Sequence, residues 1–199
     1  MPVKFFSDFF VGLRSGVKTG QAASHYERGE FDEAVACYTK ALQVDPGDIE
    51  AYFGRGNAHE ANGDFDQAIA DYTHTIRLNP DAAAAYCNRG LAHVKKGEFL
   101  QAIADSTEAI RLNPDEGMAY INRGFAHYNK GSFDEAIADC AEAIRLSSNE
   151  SSAYINRGLS YSAKGKLDDA IADFETALRI DPDDEQTKEL LENARQGKR

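Results

Sequence analysis

The sequence predicts an all-α solenoid, a fold in which helical hairpins stack one on the next. Three observations predict it. Near-identical segments recur every thirty-four residues. Apolar residues within each segment fall at helical spacing. Glycine and proline punctuate every segment at fixed offsets.

The recurrence is plain in the chain. Ala51-Tyr52-Phe53-Gly54-Arg55-Gly56 returns as Ala85-Tyr86-Cys87-Asn88-Arg89-Gly90, then as Ala119-Tyr120-Ile121-Asn122-Arg123-Gly124 and Ala153-Tyr154-Ile155-Asn156-Arg157-Gly158. A second motif follows each: GDFDQAIADYTHTIRLNP, GEFLQAIADSTEAIRLNP, GSFDEAIADCAEAIRLSS and GKLDDAIADFETALRIDP, with GEFDEAVACYTKALQVDP in a weaker leading unit. Numbering each unit 1 to 34, with the strong glycine at 8, divides the chain into 15–48, 49–82, 83–116, 117–150 and 151–184.

Within a unit, positions 4, 8 and 11 share one stripe of a first helix. Glycine at 8 costs about 1 kcal/mol of helix propensity, so close approach of a second helix is its expected reason. Gly29, Gly63, Gly97, Gly131 and Gly165 at position 15 are expected to close the first helix in the left-handed conformation. Positions 17, 20, 21, 24, 27 and 28 form the buried stripe expected of the second helix. The Asn-Pro or Asp-Pro step ends it, because proline disfavours helix at the residue before it. One hairpin cannot bury its own stripe, so neighbours must stack. Leu190, Leu191 and Ala194 give residues 185–199 one apolar stripe, which suits a capping helix over the last unit.

These units resemble tetratricopeptide repeats, the thirty-four-residue helix-turn-helix modules. The resemblance rests on Tyr52, Tyr86, Tyr120 and Tyr154 at position 4, the glycines at 8, alanine at 20 (Ala34, Ala68, Ala102, Ala136, Ala170) and proline at 32 (Pro46, Pro80, Pro114, Pro182). Departures are His25, His59, His93 and His127 at position 11, usually tyrosine, arginine in place of leucine at 7, and Ser148 in place of a proline. The resemblance implies a right-handed superhelix with first helices along a concave wall. It also implies protein or peptide binding on that wall.

Positions 2, 5, 6, 9, 12 and 13 are expected to face the concave side. The candidate peptide-binding residues are Phe53, Asn57, Asn88, Leu91, Ile121, Asn122, Phe125, Tyr128, Ile155, Asn156 and Leu159. Asparagine carries a donor and an acceptor on a short arm, so a column of it can pair with the backbone of an extended guest whatever its side chains. The other reading has these asparagines bonding neighbouring helices. The carboxylate clamp of chaperone-binding members is only half present: Asn57 and Asn88 match, but Phe53, Met118 and Asn122 stand where its cations belong. That makes a co-chaperone the lesser alternative.

Charge excludes other classes. Lys and Arg number 22 against 33 Asp and Glu, a net charge of −11, which disfavours nucleic acid. Cys37, Cys87 and Cys140 are odd in number and widely spaced, so neither a disulfide framework nor a zinc site is expected. Histidines one repeat apart cannot converge on a metal, because stacked helices lie about 10 Å apart. With no nucleophile–base pair, phosphate loop or cofactor motif, no enzyme activity and no cofactor are expected. Arg55, Arg89, Arg123 and Arg157 recur with Asp71, Asp105, Asp139 and Asp173 at position 23, so structural pairing is expected. No run is long enough to span a bilayer, and no clear signal peptide is seen, so the cytoplasm is the expected compartment. Residues 1–14 hold Phe5, Phe6, Phe9, Phe10 and Leu13, one broad apolar face if helical. This segment has three candidate fates: a cap on the first repeat, insertion in a groove or a dimer joint, and contact with a membrane or partner. The dimer joint would make the chain a self-assembling structural protein.

Overall fold

The computed structural model describes residues 19–197. The apolar segment 1–14 and the fates assigned to it lie outside the described residues. All regular structure among the described residues is helical. Residues 19–27 are helical and form α1. There follow α2 (Phe31–Val44), α3 (Ile49–Ala61), α4 (Phe65–Leu78), α5 (Ala83–Lys96), α6 (Phe99–Leu112), α7 (Gly117–Asn129), α8 (Phe133–Leu146), α9 (Ser151–Ala163), α10 (Leu167–Ile180) and α11 (Glu185–Gly197). The chain divides into two compact units, Met1–Lys96 and Gly97–Arg199. In the first, α2, α3, α4 and α5 pack serially; in the second, α6 to α11 do the same.

The turns between paired helices follow from position 15. Gly63 has φ +81° and Gly131 φ +78°, a region that side chains with a Cβ rarely enter. At the first turn the Gly63 amide donates to the Glu60 carbonyl at 2.9 Å and the Asp64 amide to the His59 carbonyl at 2.8 Å. These two bonds close the helix end in a Schellman motif. Gly131 and Ser132 repeat the pattern on Tyr128 and His127.

The core is built largely of alanine. Ala51, Ala58, Ala68, Ala85, Ala92, Ala102, Ala119, Ala126, Ala136, Ala153 and Ala170 are wholly buried. The expected first-helix stripe needs correcting. Positions 3, 8 and 10 are the buried ones, as in Ala51, Gly56 and Ala58 of α3. Position 4 is half-buried because its ring packs elsewhere. Tyr52 stacks on His74 at 4.7 Å and lies beneath the Arg55 guanidinium at 5.7 Å. On α4 the buried residues are Ala68, Asp71, Tyr72 and Thr75, while Phe65, Ile69 and Ile76 keep partial exposure.

Glycine at position 8 has the expected reason. A Cβ on Gly56 would lie 2.7 Å from the Tyr72 ring, and one on Gly158 would lie 2.7 Å from Phe174. Each is the position-24 residue of the same repeat.

The buried aspartate at 23 is answered by arginine at 7. Arg55 meets Asp71 with Nε at 2.8 Å and Nη2 at 2.7 Å. Arg123 meets Asp139 and Arg157 meets Asp173 in the same two-pronged way. A third nitrogen reaches back to the preceding repeat's second helix, Arg55 to Thr39 at 3.1 Å and Arg123 to Thr107 at 3.2 Å. Arg89 bonds Thr73 at 2.9 Å in the same manner. Each of the four guanidiniums also sits over its position-4 tyrosine at 5.6 to 5.7 Å. The arginine therefore ties its own hairpin together and, where threonine precedes it, ties that hairpin to the one before.

A second link runs between repeats. Lys96 pairs with Asp66 at 2.7 Å, Lys164 pairs with Asp134, and Asn62 donates to Asp32 at 2.8 Å. At the chain's end, α11 lays Leu191 and Ala194 on Ala170 and Phe174 of α10. The Asp184 carboxylate starts α11 by accepting from the amides of Gln186 at 3.0 Å and Thr187 at 3.2 Å.

Candidate functional site

The candidate residues all lie on first helices, and they differ in how much surface they offer. Phe53, Asn57, Asn88, Leu91, Phe125, Tyr128, Ile155 and Leu159 are half-buried. Ile121, Asn122 and Asn156 are buried, at 5, 4 and 7 % exposure. The repeat pattern alone puts these three on an open wall. They are instead wedged into packing between repeats, where Ile121 joins Ala143 and Ala153 in one apolar cluster.

The register explains the wedging. Position 6 of a first helix faces position 24 of the preceding repeat. In the first unit this is visible at Gly54, where a Cβ would lie 2.4 Å from the Tyr38 ring. There the Tyr38 ring leaves no room for a Cβ, whereas at the next seam Asn88 follows Tyr72. Where position 24 is Ser106 or Cys140, position 6 has room for Asn122 or Asn156.

In the second unit the half-buried aromatics lean on their neighbours. Phe125 meets Phe99 edge-on at 6.3 Å, and Tyr128 lies 5.9 Å from Phe133. Leu159 packs against the Ala170 and Phe174 cluster. Met118 stands out at 40 % exposure.

In the first unit the residues enclose space. An open apolar pocket of about 380 Å³ is lined by Tyr38, Ile49, Phe53, Gly54, Asn57 and Ala84, among others. Its mouth carries Ile49, 37 % exposed. A second pocket, of about 240 Å³, is lined by Tyr26, Asn57, Glu60, Ala61 and Asn88. Asn57 lines both, so the pockets adjoin.

The second pocket has a polar floor. The Tyr72 hydroxyl lies 2.8 Å from Asn57 Oδ1 and 2.8 Å from Glu60 Oε2. Asn88 Nδ2 donates to the same Asn57 oxygen at 3.0 Å. Asn88 thus bonds a neighbouring first helix, the other of the two readings its sequence position allows. Burial raises the Glu60 carboxyl above the usual range, against the opposing bond from Tyr72 and the charge of Lys95. Burial likewise pushes the Tyr72 phenol up.

Among the described residues no three His, Cys, Asp or Glu side chains stand close enough to hold a metal ion. The position-11 histidines have local neighbours instead: His25 lies 2.6 Å from Glu30 and His127 lies 4.0 Å from Asp139. Cys140 is fully buried and its thiol is pushed up to about 12, chiefly by that burial, which makes it a packing group and not a nucleophile.

Family models described as TPR repeat match residues 23–63 and 61–97, and models described as tetratricopeptide repeat match 87–151 and 151–184. The chain belongs to the tetratricopeptide-repeat family. Solved structures agree with this tetratricopeptide-repeat assignment. One of MamA is 28 % identical with a TM-score of 0.75, covering 86 % of this chain and 93 % of that one. Another of MamA is 29 % identical with a TM-score of 0.73, covering 81 % and 94 %. YrrB, described as a TPR protein with an unusual peptide-binding site, is 24 % identical with a TM-score of 0.73 and 90 % coverage of both chains; that likeness speaks for the fold. No curated protein matches. No helix among the described residues is long and apolar enough to cross a membrane. Tetratricopeptide-repeat folds are protein-interaction scaffolds, and the chain shares that fold.

Proposed function

We propose that this chain is a non-catalytic adaptor that holds an extended segment of another polypeptide against the first helices of its repeats. The apolar pocket at Ile49, Phe53 and Ala84 carries this reading. Apolar side chains that keep surface beside a cavity favour an apolar guest, at about 25 cal/mol for each Å² removed from water. The partly exposed Phe125, Tyr128, Ile155 and Leu159 offer the same chemistry on the second unit. The buried Asn122 and Asn156 contribute by setting helix spacing more than by touching the guest.

The test compares two surfaces. Phe53→Asp with Phe125→Asp places charge on the first helices, and Leu100→Asp places it on a second helix, where Leu100 is 65 % exposed. The bound polypeptide recovered with the unaltered chain should be lost with the double variant and kept with Leu100→Asp. Loss with Leu100→Asp alone would reject the proposed face.

A further inference from the structure

The two adjoining pockets differ in chemistry, and the difference says what the guest must carry. This step rests on the adaptor reading above and adds the nature of the bound segment. On one side of Asn57 the lining is apolar. On the other it presents oxygen acceptors, the Glu60 carboxylate and the Asn57 amide oxygen, both bonded to the buried Tyr72 hydroxyl.

Acceptor sites outnumber donors there, chiefly on the Glu60 carboxylate. The Tyr72 hydroxyl carries one hydrogen and faces two acceptors at equal distance. Asn88 Nδ2 also donates to the Asn57 oxygen, so the Tyr72 hydrogen can go to Glu60, whose carboxylate has room to accept further bonds. Glu60 holds a carboxylate in a half-buried place, where its charge is poorly solvated. An incoming cationic donor would add a hydrogen bond to the carboxylate and a counter-charge beyond that of Lys95. Tyr26, 37 % exposed on the rim, presents a ring on which a guanidinium can rest. The chain's net charge of −11 favours approach of a basic segment.

We infer that the Glu60 pocket receives a lysine or arginine of the bound segment while an apolar side chain on the same side of that segment fills the Ile49–Phe53 pocket. An extended chain shows alternate side chains on one side, and the shared wall at Asn57 sets the two sites next to each other. The guest is thus basic and apolar together, opposite in charge to a segment taken by a carboxylate clamp.

Random short peptides displayed on phage are selected against the full chain and against its Glu60→Gln form. Lysine and arginine should be enriched in the first selection and not in the second. One selected peptide is then synthesised with its basic residue and with norleucine in that place, and both are titrated against both chains. The basic peptide should lose about tenfold in affinity on Glu60→Gln, and the same amount on going to norleucine with the unaltered chain. Glu60→Gln should not distinguish the two peptides. Peptides that need Phe53 yet ignore the basic residue would overturn this inference and leave the adaptor reading standing. Selected peptides that bind Phe53→Asp equally well would remove both. An affinity that rises about tenfold when residues 1–14 are deleted would assign the pocket to the chain's own Lys4 or Arg14 and overturn an external basic guest.

Discussion

Arginine at position 7 shows how one residue serves three helices. Arg123 sits 20 % exposed and its partner Asp139 9 %, so the pair is largely out of water. Removing one partner strands the other charge. Asp139→Ala should lower unfolding free energy by about 2–3 kcal/mol, measured by urea denaturation. Arg123→Leu combined with Asp139→Ala should recover most of that, because a leucine in place of the ion pair leaves no charge buried. A double variant as unstable as the single one would refute the pairing as the source of the loss. This pair is legible in the sequence, since the leading unit carries Gln21 at 7 and Cys37 at 23, and lacks both partners together. The tyrosine beneath the guanidinium is not legible. A position-4 aromatic reads equally well as core, and only the structure shows Tyr120 turned toward Arg123 at 5.6 Å. In sequence, Glu60 is no more than a polar variant at position 12. Its pocket takes Tyr26 from the repeat before and Asn88 from the repeat after, and Tyr72 of its own second helix bonds its carboxylate. No single spacing announces such a meeting.

At the scale of the element, helices are legible where glycine and proline fix their ends, and less so in which face they bury. Alanine at positions 3 and 10 suits a core or a surface helix alike, so Ala51 and Ala58 do not declare themselves, yet both are wholly buried. The final helix α11 offers a test of an element's own stability. Asp184 accepts from the Thr187 hydroxyl at 2.5 Å and from two amides, and these bonds hold its carboxyl below the ordinary value of 3.8. A carboxylate whose pKa is lowered on folding stabilises the fold above its unfolded value, and that stabilisation fades as pH falls through the folded one. Asp184→Ala should therefore cost about 1 kcal/mol at neutral pH. The gap between variant and parent should close as the pH drops below 3.8. Thermal melts at pH 7 and in the acid range check both halves; a gap that persists in acid would contradict the cap.

For the whole molecule, the chain reads as a set of similar hairpins whose differences shape its pockets. The repeated positions build the stack: alanine in the core, glycine where helices touch, arginine across the seams. Departures from the repeat open the pockets. Gly54 replaces asparagine and Glu60 stands where later units have Val94, Tyr128 and Ser162. Isotope-labelled full chain titrated with a peptide selected against it tests this division of labour most directly, by the map of shifted amide signals. The expected map centres on α3 and α5, around Phe53, Asn57, Glu60 and Asn88. Shifts gathered instead on the second helices, around Asp66, Leu100 and Asp134, would contradict binding along the first helices.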